Sequence, residues 1–461
     1  MEYLEIWNTW VSGGVLPLAL AAVGGYFTVR MRRVWLHPIA LLRRMLRRGR
    51  GEGISPMRAM SLSLAGVLGV GNLVGVASAI SYGGAGAIFW MWVSATLAMF
   101  LKYAEIVLAL RHRRRRGGSL EGCAMYYIED SFTSSPSPSH KRRREAGVSV
   151  GRALALGFAV LLLIDAFCMG GIIQVEAVSS AFSERLGIPR VWIGGLLAGL
   201  VFVVGMRGDR SVASLAQRLV PIMTLGFCVL SVAAIVCRAE MVPSVLQQIV
   251  RQGLTLDGES AGRGVLGGVG AFLMSRSLRY GTMRGLLSNE AGCGSSPMAH
   301  ADAATDDPVA QGGMGMLEVF VDTHLLCSMT ALVILLAFSG ESLPDLSPMM
   351  VTVTAFERLL GRGAGIFLCA AVLCFGLATV LCWSHYAQRA GAYLLPAVGK
   401  ARYFSRLRDG VFLFLYCAFV CVGAFGAPEM VWQISDFAIG GMTLINLGIL
   451  LRCRREIIAA R

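Results

Sequence analysis

The feature that most constrains this chain is its long, nearly uncharged apolar runs. Val11–Val29, Val191–Met206 and Gly410–Ala427 hold almost no charge and show no polar alternation. Runs of about 18–25 residues suffice to cross ~30 Å of hydrocarbon as helix. In that medium each backbone amide and carbonyl must be satisfied within its own segment, so a helical bundle is the economical solution. Composition agrees: 55 % of the 461 residues are hydrophobic and 15 % are charged, against about a quarter charged in soluble domains. The sequence predicts an all-α polytopic membrane protein with eleven spans, near 11–29, 57–80, 84–110, 151–183, 191–206, 213–237, 264–283, 311–338, 363–388, 410–427 and 431–451. The first run is long, lacks a small-residue cleavage site and is followed by arginines, so it is expected to be a retained span.

The net charge of +14 would suit a nucleic-acid binder, but its distribution points elsewhere. Of the 42 Lys and Arg residues, 34 fall in alternate loops and the C-terminal tail, 7 in the opposite loops and one, Lys102, within a span. The 34 include three in residues 276–284. Such a bias predicts an N-out, C-in topology, with anionic lipid as the partner of the basic loops. No recognition motif accompanies the charge, so nucleic acid is not an expected partner. Twelve cysteines form no CxxC pair and several lie inside spans, where free cysteine acts as a small hydrophobe. No HExxH spacing points to an enzyme, and no bound cofactor is expected.

One echo interrupts the apolar pattern. Residues 66–75 read GVLGVGNLVG in the second span and 264–272 read GVLGGVGAF in the seventh. Five spans apart, the two would enter the membrane in opposite directions. Glycine-interrupted helices at matching places in inverted halves mark transporter binding sites near the midplane. Unwound carbonyls can hold a cation there, and half-helix N-termini a carboxylate. The alternative, close helix packing through small residues, is weaker beside the echo and Asn72.

At these residues the chain resembles the alanine/glycine:cation symporters, whose fold is the LeuT-type inverted repeat. The stretch SLAGVLGVGNLVGVASAISYGGAGAIFWMWVSATLAMFLKYAE and the later RYGTMRGLLSNEAGCGSSPMAHA, GMLEVFVDT and VWQISDFAIGGM match that family's motifs in order. The resemblance implies one domain with a peripheral helix and basic loop (1–54), a first five-span repeat (55–238) and a second (264–452). It implies sodium-driven uptake of alanine, glycine or D-alanine across a bacterial inner membrane. It places the substrate on Gly69, Gly71, Asn72, Gln174, Gly267, Gly268, Val269 and Trp383. Sodium would bind carbonyls of Ala65, Leu68 and Phe375 and the hydroxyl of Thr379, oxygen donors as a hard cation requires. Ala378 stands where the family usually has a hydroxyl, and Val67, Val70, Gly171, Glu176 and Val269 also depart from its pattern.

The remaining polar residues of the spans are costly and so functional by default. Lys102 and Glu105, three apart on one helix, are expected to pair near its end. Glu176 is the candidate proton or cation site, with Asp165 loosely on its side. Glu318, Asp322 and Asp436 are expected as gate or loop partners, and His324 and His385 as satisfied interior histidines. A proton-coupled carrier through Glu176 and a non-transporting amino-acid sensor are the alternative functions, a membrane-embedded enzyme a remoter one.

Overall fold

A computed structural model describes residues 2–46, 53–116, 119–132, 141–255, 275–395, 402–427 and 429–460. Among them the only paired strands are the short hairpin β1 (Arg114–Arg116) and β2 (Ser119–Glu121); the rest is helix and connection. The full-length candidate spans are α1 (Asn8–Arg30), α4 (Gly86–Arg111), α6 (Val150–Leu186), α8 (Ser211–Val236), α12 (Pro308–Ala337), α14 (Arg362–Leu394) and α16 (Glu429–Arg452). A further span is broken into α2 (Pro56–Val67) and α3 (Gly71–Gly83), bent by 50°. Two shorter apolar helices, α7 (Arg190–Met206) and α15 (Gly410–Phe425), lie at the fifth and tenth expected positions. Helices off the main spans include α5 (Ala124–Ser131), α9 (Val242–Leu254), α13 (Pro348–Leu360) and α17 (Arg454–Ala459), besides short ones at Glu2–Trp7, Arg32–Leu36 and Pro38–Met45.

The surface is that of a chain dissolved in lipid. On α8, Ile222, Leu225, Val229, Val232 and Val236 are all largely exposed and recur at helical spacing; so do Val411, Phe414, Leu415, Phe419 and Val422 on α15. Apolar stripes of this extent on the outside of a fold require an apolar surrounding. The first span, α1, buries one side, including Asn8, Ser12, Leu16, Leu20, Val23, Gly24 and Phe27. That side packs on α4 and α16, where a Cβ on Gly24 would lie 2.9 Å from the Leu97 side chain. This is the peripheral placement expected of the leading helix.

The seventh span differs from expectation. Its expected first part, including Gly267, Gly268 and Val269, lies outside the described residues. What is described is α10 (Arg276–Asn289), then an unwound stretch, then α11 (Pro297–Ala301). Among the described residues the interruption falls in the NEAGCGSS segment. Glu290, Gly292 and Gly294 have φ of 50°, 94° and 81°, the left-handed region that glycine enters at little cost. For Glu290 the same conformation is strained, as residues at functional sites often are. Pro297 restarts the helix at a position where its missing amide is no loss.

Candidate substrate and ion site

The first break is built on side-chain absence. Past Val67 the helix stops at Leu68 (φ −77°, ψ 58°), and Gly69 lies so close to its neighbours that a Cβ would sit 2.8 Å from both Gln174 Oε1 and Thr379 Oγ1. Gln174, on α6, closes one of the exposed backbone donors: its Oε1 accepts from Val70 N at 3.0 Å, while Nε2 donates to Met169 O at 3.1 Å. Thr379, on α14, donates to Ala65 O at 2.9 Å. Four expected site residues, Ala65, Gly69, Gln174 and Thr379, are thus brought together. Leu68 is the first residue beyond α2, and Phe375 lies one turn before Thr379 on α14. Ala65 O and Thr379 Oγ1 are neutral oxygens of the kind a sodium ion takes. Trp383 is buried against the π-helical turn of α6 at Cys168–Ile172, where a Cβ on Gly170 would lie 2.4 Å from it.

The second break faces the first. A Cβ on Gly71 would lie 3.8 Å from Ser288 Cα and 4.0 Å from Leu287 O. Asn72 is not free to donate to a substrate carboxylate, as the resemblance implied. Its Nδ2 donates to Asp322 Oδ1 at 2.6 Å and to Asp322 O at 3.2 Å, while its buried Oδ1 has no hydrogen-bond partner. Asp322 Oδ2 also accepts from Ser288 Oγ at 2.8 Å and Thr323 Oγ1 at 2.7 Å. Asn72 therefore offers the site an acceptor, suited to an ammonium or a cation.

Lys102 and Glu105 do not pair with each other at a span end; both are fully buried in mid-bundle and cap opposite ends of the second break. Lys102 Nζ donates to Asn289 O at 2.9 Å, the carbonyl that ends α10, where the helix dipole is negative. Glu105 Oε1 accepts from Gly294 N at 3.0 Å and from Asn446 Nδ2, on the side where unpaired amides collect. Asn446 in turn donates to Gly292 O at 2.8 Å and accepts from Tyr127 OH at 2.6 Å. A cation and an anion one turn apart on α4 thus match the polarity of the two half-helices they hold.

Glu318 is the counterion of Lys102, at 3.0 Å with both side chains fully buried. Ser63 Oγ on α2 donates to it at 2.9 Å, and His300 Nε2 on α11 lies 2.8 Å away. Gln311 Nε2 lies 2.8 Å from His300 Nδ1; donation by the amide places the imidazole proton on Nε2, facing Glu318. Glu318 and Asp322 stand buried in mid-span on α12 and bond to both breaks, so the expectation of loop partners is corrected for them. Ser288, Glu290, His300 and Gln311 were not singled out from sequence, although all but Gln311 lie in the SNEAGCGSSPMAHA signature.

Glu176 lies apart from Gln174. It lines a cavity of about 710 Å³ together with Asn8, Ser78, Arg279, Arg284 and Asp436. Asp165 is buried elsewhere, accepting from Ser435 Oγ at 2.7 Å. His385 is interior and 3.4 Å from Asp302; His324 stacks on Phe320 and lies 3.1 Å from Thr96 Oγ1.

The sodium:alanine symporter family profile matches residues 1–460. The chain belongs to the sodium:alanine symporter family. It is 31 % identical to the sodium/alanine symporter AgcS of Methanococcus maripaludis, over 98 % of this chain and 95 % of that one. It is 33 % identical to an uncharacterized transporter of Haemophilus influenzae, over 98 % and 93 %, and 29 % identical to the probable sodium/glutamine symporter GlnT of Bacillus subtilis, over 94 % and 84 %. The chain is a multi-pass member of a sodium and amino-acid symporter family, and a transporter in class. Two broken spans, closed on each other by side chains from α4, α6, α12 and α14, are the structural content of that membership.

Proposed function

We propose that the chain moves small neutral amino acids, alanine and glycine foremost, with sodium, by alternating access. The observation that carries this is at Gly69. One break supplies Ala65 O beside Thr379 Oγ1 on one side and the Gln174 amide on the other. An ion bound at Ala65 and Thr379 fixes the conformation of the same backbone a substrate touches, so ion and substrate raise each other's affinity. The close approach of Gly71 to Ser288 favours a small side chain. Relatives named for alanine and for glutamine support an amino acid while leaving its size to this geometry.

In this reading the N-terminus is outside and the C-terminus inside a bacterial inner membrane, and the cavity beside Glu176 opens outward. Basic loops at the opposite end lie against anionic lipid. Proton coupling is a second reading. It is supported by the buried Lys102–Glu318–His300 cluster rather than by Glu176, which lies away from the breaks.

The test is radiolabelled alanine uptake into proteoliposomes under an inward sodium gradient, and separately under a proton gradient. Sodium-driven accumulation is expected. Accumulation driven by protons alone would replace sodium with the buried cluster, and no accumulation under either gradient would overturn symport of alanine.

A further inference from the structure

The 710 Å³ cavity is not the buried site. It begins where α3 leaves the first break, with Val74 and Ser78 in its wall, and opens at the end of the bundle that carries Asn8 and Glu429. Its walls hold two guanidinium groups, Arg279 and Arg284, and three carboxylates, Glu176, Glu429 and Asp436. Such charges in a narrow cavity ordinarily pair off. Here they barely do. Arg284 Nη1 approaches Asp436 Oδ1 only to 4.0 Å, and its buried Nε has no hydrogen-bond partner. Among the described residues neither the Glu176 carboxylate nor the Arg279 guanidinium makes a hydrogen bond or ion pair. Arg284 lies over Trp432, 5.1 Å from the ring, and Arg279 over Tyr280 at 5.7 Å.

We infer that this cavity is a second binding site for the amino acid itself, loaded before the buried one. The guanidinium groups take the carboxylate by charge-assisted hydrogen bonds. Glu176, with Asp436 in the same lining, takes the ammonium. Both charges of a zwitterion are then matched without adding net charge to walls that carry three carboxylates against two guanidinium groups, whereas an anionic amino acid would add to their excess. The arginines stand on α10, whose far end forms the second break, while Asp436 stands on α16. A ligand drawing Arg284 toward Asp436 would therefore close the cavity across the half-helix that borders the buried site. This rests on the amino-acid reading above and assigns Glu176 to substrate rather than to the coupling proton.

The experiment is equilibrium binding of radiolabelled alanine to the purified full chain in saturating sodium, with uptake measured on the same preparations. Two alanines per chain are expected, one weaker than the other. Glu176→Gln and Arg279→Gln should each weaken the second by about tenfold or more, the loss expected when a charged partner is removed. Gln174→Ala should weaken the tight site and spare the other. One alanine per chain, unaffected by Glu176→Gln and Arg279→Gln while uptake is intact, overturns the second site and leaves the symport reading standing. Radiolabelled sodium lost from Glu176→Gln while alanine stays at one per chain also overturns it, in favour of a cation. Neither binding nor uptake in the unaltered chain overturns both.

Discussion

Gly69 is where the proposed ion and substrate contacts meet in one residue. Its φ is ordinary, so its identity is dictated by space: a methyl group would meet Gln174 Oε1 and Thr379 Oγ1 at 2.8 Å. Gly69→Ala is expected to abolish alanine uptake while the protein still reaches the membrane, measured by transport against surface expression. Thr379→Ala removes one oxygen of the proposed ion site and should raise the sodium concentration for half-maximal uptake about tenfold, the effect of a lost bond of ~1.4 kcal/mol; Thr379→Ser should restore it. Lys102→Met leaves the Glu318 carboxylate buried and uncompensated, a loss on the order of 3–5 kcal/mol. It should lower the thermal midpoint in detergent sharply, and the double variant with Glu318→Gln should recover part of the loss. Equal midpoints for the single and double variants would deny the pairing.

At the scale of elements, the helices were legible in the sequence because lipid admits so few alternatives. Expected spans such as 84–110, 151–183 and 191–206 lie within a few residues of α4, α6 and α7. The first break was legible too, from Gly69, Gly71 and Asn72. The second, at Glu290–Ser296, was not, because the glycine echo at 264–272, outside the described residues, is the stronger compositional signal. A non-glycine left-handed residue gives no compositional signal. The burial of Lys102 and Glu105 was equally hidden: spacing showed them on one face, but only the docking of α10, α11 and α12 shows what they cap. At the end of α4, His112 Nδ1 is 2.9 Å from Asp130, and its Nε2 is 3.3 Å from Glu456 on α17. Burial alone would lower its pKa, but hydrogen bonds to the two carboxylates prevail and raise it to about 9. A raised folded-state value stabilises fully below the unfolded value of about 6.5 and is lost as pH rises through about 9. Hydrogen exchange in residues 454–459 should therefore accelerate between pH 7 and pH 10 beyond its intrinsic rise. His112→Gln should remove that excess, and an excess surviving in the variant would refute the contact.

For the whole molecule, the two ends of the bundle differ. One holds the open cavity. At the other, Arg389 Nη2 meets both oxygens of Asp302 at 3.0 Å, and Arg113 donates to Ala303 O and Thr305 O at 2.9 and 3.1 Å. There the chain before α2 also pairs with the chain after α11, through Ile54 and Ala303. The half-helices α2 and α11 are thereby clasped together. Asp302→Asn is expected to loosen the clasp and raise hydrogen exchange over residues 297–305 about tenfold, roughly 1.4 kcal/mol. The charge count also changes at this scale. Arg279 and Arg284 line the cavity with Asn8, and Arg276 begins the same helix, so the three basic residues of 276–284 belong to the N-terminal end. The bias becomes 31 to 10 rather than 34 to 7, and it still favours the same orientation. The claim on which the account turns is that ion and substrate share the first break. The most direct measurement is the dissociation constant of alanine with and without saturating sodium, in the unaltered chain and in Thr379→Ala. The account predicts an affinity at least about tenfold higher with sodium, a gain largely lost in the variant. Equal affinity with and without sodium in the unaltered chain would contradict it.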